Sequence, residues 1–151
     1  MSAKNFKFTD EMKTVGGITL HRIVATTDIP ARGVQKGDLG GWVEKESNLA
    51  NSAWVYGNAQ VYGNARVYGN ARASGDAWVA GICDYIVFKN WWSSGRYFTW
   101  TRSNNMWSVG CFYGTGEELI AKAYRDNETS GREYERVVRY VESILAESKN
   151  E

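Results

Sequence analysis

The sequence predicts a mainly β chain with C-terminal helices, in which a short β-solenoid of six-residue repeats carries a cap at each end. Three observations point there. Residues 41–85 repeat every six positions, most visibly in WVYGNAQVYGNARVYGNARASGDA from Trp54 to Ala77. The segment before the repeat holds two alternating apolar runs joined by Gly16-Gly17. The segment after it holds aromatic strand-like runs followed by two stretches of helical periodicity. The chain therefore divides into residues 1–40, a β-hairpin with its lead-in loop; residues 41–85, the repeat; and residues 86–151, a three-stranded sheet with two helices.

In KTVGGITLHRIVAT the Gly-Gly pair is a two-residue hairpin signal between strands of alternating polarity. The lone proline, Pro30, falls in the loop that leads to Gly41. Within the repeat, one column is small: Gly41, Ser47, Ala53, Ala59, Ala65, Ala71, Ala77 and Cys83. The column two residues later is apolar: Val43, Leu49, Val55, Val61, Val67, Ala73, Val79 and Tyr85. Residues two apart on a strand share a face, so both columns are expected to point inward. Gly-Asn or Gly-Asp follows in four successive hexads and permits a tight corner. One straight strand over the repeat would stretch roughly 150 Å, so the corners must fold it.

After the repeat, DYIVFK, RYFTWTR and MWSVGCFYG read as three strands, with Ser103-Asn104-Asn105 as a turn. Thr115 and Glu118 form a capping box at the start of one helix, and Ser130 and Glu133 repeat the pattern at a second. Tyr134, Val137, Val138, Val141, Ile144 and Leu145 line one face of that second helix, which is expected to pack on the aromatic sheet.

The repeat resembles the left-handed β-helix family, in which three hexads complete one triangular coil. That resemblance implies an 18-residue coil, with Val43, Val61 and Val79 stacked and Leu49 over Val67. The run Ala25, Thr26, Thr27, Asp28 and the later Gly40, Gly41, Trp42, Val43 resemble the opening of transferase-like bacterial hexapeptide-repeat proteins. Similar layouts occur in phage and prophage proteins. The resemblance implies an accessory protein that binds and inhibits a host protein, with a possible anti-defence role, acting in the host cytoplasm.

Composition narrows the chemistry. The 151 residues are 43% hydrophobic and carry a net charge of +1, so no global field points to nucleic acid or a membrane. No apolar run approaches 18 residues and the N-terminus has no signal-peptide core, which reads as a cytoplasmic chain with reduced thiols. Acyltransferases of the resembled family use a histidine base, and other members bind zinc through three histidines. Here the single histidine, His21, lies in the hairpin and reads as a surface or hydrogen-bond-satisfied hairpin residue, so neither a catalytic residue, a metal site nor a cofactor is expected. A Cys/His cluster would need His21, Cys83 and Cys111 brought together. FYGTGEE places a glycine-rich loop before a helix, but Glu117 and Glu118 already sit at the positive end of its dipole, and it reads as a turn plus cap.

The outward columns carry Trp42, Gln60 and Trp78 on one face and Trp54 with Arg72 on another, flanked by Tyr56, Tyr62 and Tyr68. The expected function is therefore a non-enzymatic protein-binding module. Its expected contact residues are Trp54, Tyr56, Tyr62, Arg66, Tyr68 and Arg72 from the repeat, with Trp91, Trp92, Arg96, Trp100 and Arg102 from the following segment. A homo-oligomer, dimer or trimer, is expected as well. Two other classes stay open: a small-molecule-binding or degenerate acyltransferase-like protein, and a single-stranded nucleic-acid binder. The latter rests on basic and aromatic residues interleaved in KNWWSSGRYFTWTR.

Overall fold

Polar–apolar alternation on both sides of Gly16-Gly17 makes the first hairpin in the computed structural model, which describes residues 5–50, 53–69, 71–110 and 112–149. Strand β1 (Phe6–Val15) runs antiparallel to β2 (Ile18–Ala25). Val15 faces Ile18, so the two glycines are the whole turn, at φ of 56° and 83°. Positive φ at both positions is the geometry that matches the twist of the flanking strands.

Strand β3 (Leu39–Val43) continues the sheet antiparallel to β2, with His21 opposite Val43 and Arg22 opposite Trp42. The repeat then supplies two-residue strands: β4 (Trp54–Val55), β5 (Gln60–Val61), β6 (Arg72–Ala73) and β7 (Trp78–Val79). Parallel partners fall 18 residues apart, as in Val43–Val61, Val61–Val79, Val55–Ala73 and the single bridge Leu49–Val67. From Val43 to Val79 the larger inward column is buried, as are Ala53, Ala59, Ala65, Ala71 and Ala77.

These pairings do not make a left-handed β-helix or any solenoid, and that expectation is corrected. The architecture is several small sheets plus two C-terminal helices: a five-stranded mixed sheet in the order β1-β2-β3-β5-β7, the two-stranded pair β4-β6, and a four-stranded sheet. Among the described residues, five of the eight strand pairs are antiparallel. The physical reason is the shortness of the repeat. Two-residue strands stacked three deep at most bury too little to stand alone, so they complete a sheet that the antiparallel hairpin begins.

The second half is a meander of β8 (Tyr85–Lys89), β9 (Tyr97–Thr101), β10 (Met106–Val109) and β11 (Phe112–Gly114), all antiparallel. It has four strands where the sequence predicts three. MWSVGCFYG breaks at Gly110, whose φ of 55° turns the chain so that Val109 faces Phe112. The Ser103–Asn105 turn is present, with Asn105 at φ 51°. Helix α1 (Gly116–Asp126) starts with the expected capping box, the Thr115 hydroxyl accepting the Glu118 N–H and the Glu118 carboxylate accepting the Thr115 N–H. Helix α2 (Glu128–Lys149) begins two residues before Ser130, capped by Asn127.

The helices bury Tyr134, Val138 and Val141 with Leu119, Ile120 and Ala123 against Phe98, Trp100, Trp107 and Val109 of the meander. A second core lies inside the repeat and under the hairpin.

Candidate interaction face

In register across β2, β3, β5 and β7 stand Arg22, Trp42, Gln60 and Trp78. Each of the last three precedes an inward valine, so pleating turns it to the opposite face. At the usual strand spacing the row spans roughly 14 Å. Lys13 Nζ stands 4.5 Å from the Trp42 ring centroid and Arg22 Cζ 5.9 Å from it, so two cations flank this half-buried indole. Arg22 also meets Glu11 at 3.4 Å, a solvent-screened pair of little energetic weight. Trp78, on the last strand of the sheet, is exposed.

Beside the row lies an apolar cleft of about 220 Å³, lined by Val15, Gly16, Ile18, Leu20, Gln60 and Tyr62. Gln60 belongs to both, so row and cleft form one surface.

The strand edge next to Trp78 is closed rather than open. The Ser103 hydroxyl accepts the Trp78 N–H at 2.8 Å, and one Asp84 carboxylate oxygen accepts the N–H groups of Ala80 and Gly81 at 2.8 and 3.0 Å. On β6 the Thr99 hydroxyl accepts the Arg72 N–H at 3.1 Å. An open row of backbone donors would template pairing with another chain. Here the face offers side chains instead.

The expected contact residues separate. Trp54 is 1% exposed, packed over Gly40 in the core, and Trp100 is equally buried beneath the helices, so both are corrected from contact to core. Arg72 is half-buried, its guanidinium donating to the Gly110 carbonyl across the junction between the repeat and the meander. The Tyr56 hydroxyl, half-buried, donates to the Arg32 carbonyl at 2.8 Å, and burial pushes its pKa up. Tyr62 lines the cleft, while Arg66 and Tyr68 are exposed on another part of the repeat. Trp92 stands edge-on to Tyr134 at 4.8 Å, whereas Trp91 is 71% exposed. Arg96 is exposed and Arg102 half-exposed.

His21, half-buried in the hairpin, stacks on Phe8 with ring centroids 4.4 Å apart. Cys83 is exposed in a 3₁₀ turn rather than inward, because the hexad ends at Gly81. Cys111 lies outside the described residues. Lys13, Arg22 and the Leu20 cleft were missed by sequence reasoning. The signal that could have found them is the alternation of the first hairpin, which sets Leu20 and Arg22 on one face.

No protein-family model matches the chain, and no curated protein matches it. Among the described residues, no helix is long and apolar enough to cross a membrane.

Proposed function

We propose that this chain is a non-enzymatic protein-binding module whose contact surface is the Arg22–Trp42–Gln60–Trp78 row with its adjoining cleft. The single observation that carries the reading is the join at Gln60 between an indole-bearing row and an apolar cleft. Such a surface supplies aromatic anchors at its centre and a pocket for a partner side chain. Lys13 and Arg22 beside Trp42, with Glu11 paired to Arg22, leave that end one net positive charge, which favours an acidic partner. The occupant is accordingly a protein segment with an apolar side chain for the cleft and carboxylates for the rim.

Selecting a random peptide library on the immobilised protein tests this. The retained sequences should pair an apolar residue with flanking acids. Trp78→Ala with Tyr62→Ala should weaken their capture at least tenfold, about 1.4 kcal/mol, with unchanged circular dichroism. Capture that survives the double variant, or sequences without acids, overturns the reading. A light-scattering mass above one 17.0 kDa chain that falls to the monomer in the double variant would reassign the face to self-association.

A further inference from the structure

Between the meander and the two helices lies a second cleft of about 220 Å³, of a different character. Its apolar floor includes Leu119 and Ala123, and its polar lining includes Asn90, Arg96, Lys122, Asp126 and Tyr134. Lys122 is paired with Asp126 at 3.2 Å along one helical turn. Arg96 has no carboxylate partner among the described residues, and its guanidinium lies over Gly110, where a side chain would collide with it. Among the described residues, a cation with no carboxylate partner thus lines a half-apolar space.

Asn90 is the second, independent observation. It is 6% exposed, and its backbone holds the 90–96 loop shut, the Asn90 N–H donating to the Arg96 carbonyl at 2.7 Å. Its side-chain amide nitrogen donates to the Tyr134 hydroxyl at 3.5 Å, while its carbonyl oxygen is buried with no hydrogen-bond partner among the described residues. Turning the amide over only exchanges which end is left alone. A buried unpaired polar group costs free energy that an apolar residue of similar size would not, so its presence beside a cleft needs a reason. Tyr134 does not meet that need, since its hydroxyl already serves the other end of the amide.

We infer that this cleft binds a small carboxylate bearing an amide group, with Arg96 holding the carboxylate and Asn90 pairing with the amide. An amide offers both a donor and an acceptor, so it satisfies the free end of Asn90 whichever end that is. Guanidinium is the group that best matches a carboxylate's two oxygens. A cleft of about 220 Å³ suits a molecule of amino-acid size. The site is separate from the interaction face, and its fate does not depend on that reading.

Titration of the full chain with N-acetylglycine, followed by two-dimensional NMR, tests it. Saturable shifts are expected at Asn90 and along α1 near Ala123. N-methylacetamide, which has the amide without the carboxylate, should bind at least tenfold more weakly, and inorganic phosphate should leave the Asn90 side-chain signals in place. Arg96→Gln, at an exposed position, should weaken N-acetylglycine at least tenfold. Asn90→Leu should do the same, with unchanged circular dichroism. Shifts that never saturate, binding retained by Arg96→Gln, or an equal response to N-methylacetamide or to phosphate overturns the assignment.

Discussion

Gly40 lies directly beneath Trp54: a Cβ on Gly40 would stand 2.8 Å from Trp54 Cζ2 and 2.7 Å from the Val55 carbonyl oxygen. The absence of a side chain at residue 40 is what lets the Trp54 indole fold under β3 instead of facing solvent. Gly40→Ala should therefore lower stability by about 1–3 kcal/mol through overpacking, although alanine is otherwise the mildest of substitutions. Chemical denaturation followed by tryptophan fluorescence checks it. An unchanged midpoint would show that the indole moves aside freely.

The Asp84 carboxylate takes two backbone donors beyond β7, and nothing of the kind can be supplied by alanine. Asp84→Ala leaves the Ala80 and Gly81 N–H groups to water or to another chain. The expected loss is about 1–3 kcal/mol, with more concentration-dependent association than wild type shows. Thermal melts and light scattering over a dilution series measure the two effects. A variant as stable and as dispersed as wild type would mean the edge is protected by other groups.

The inward columns of the repeat were legible because a period of six with small and branched residues two apart leaves one way to bury both. The class of architecture was not. Whether short parallel pairs stand as a free stack or complete another sheet depends on His21–Val43 and Arg22–Trp42, pairings made with a hairpin outside the repeat. Trp54 was misread for a related reason, since its column says outward and only the partner Gly40 says otherwise. The polar cleft was invisible as a unit: Asn90, Arg96, Lys122 and Tyr134 come from a loop and two helices, and no local spacing links them. Tyr134 itself was legible, but only as core.

Tyr56, Tyr85, Tyr113 and Tyr134 all hold their protons more tightly than a free tyrosine, with burial the largest cause in each. A raised folded pKa means the native state binds more protons than the unfolded chain above the unfolded value, so stability must fall with rising pH there. It is fully present below about pH 10 and is lost as pH climbs through the folded values. Tyr56→Phe should cost about 1 kcal/mol at neutral pH, by removing the hydrogen bond to the Arg32 carbonyl. Above pH 10 its denaturation midpoint should converge on that of wild type, since the variant has one fewer tyrosine to ionise. Parallel curves across that range would place Tyr56 in solvent.

Asn127 serves both helices at once. Its N–H donates to the Ala123 carbonyl at the end of α1, and its side-chain oxygen accepts the Ser130 N–H in the first turn of α2. The sequence reading placed the cap at Ser130, but that residue is buried inside the helix, and its hydroxyl accepts the Trp92 indole N–H at 3.2 Å. The two assignments separate by substitution. Asn127→Ala should cost about 1 kcal/mol and speed amide exchange at residues 128–131, whereas Asn127→Asp, an equally good cap, should stay near wild type. Ser130→Ala should leave that exchange unchanged and instead shift the Trp92 indole signal. If Ser130→Ala frays the first turn and Asn127→Ala does not, the helix starts where the sequence alone put it.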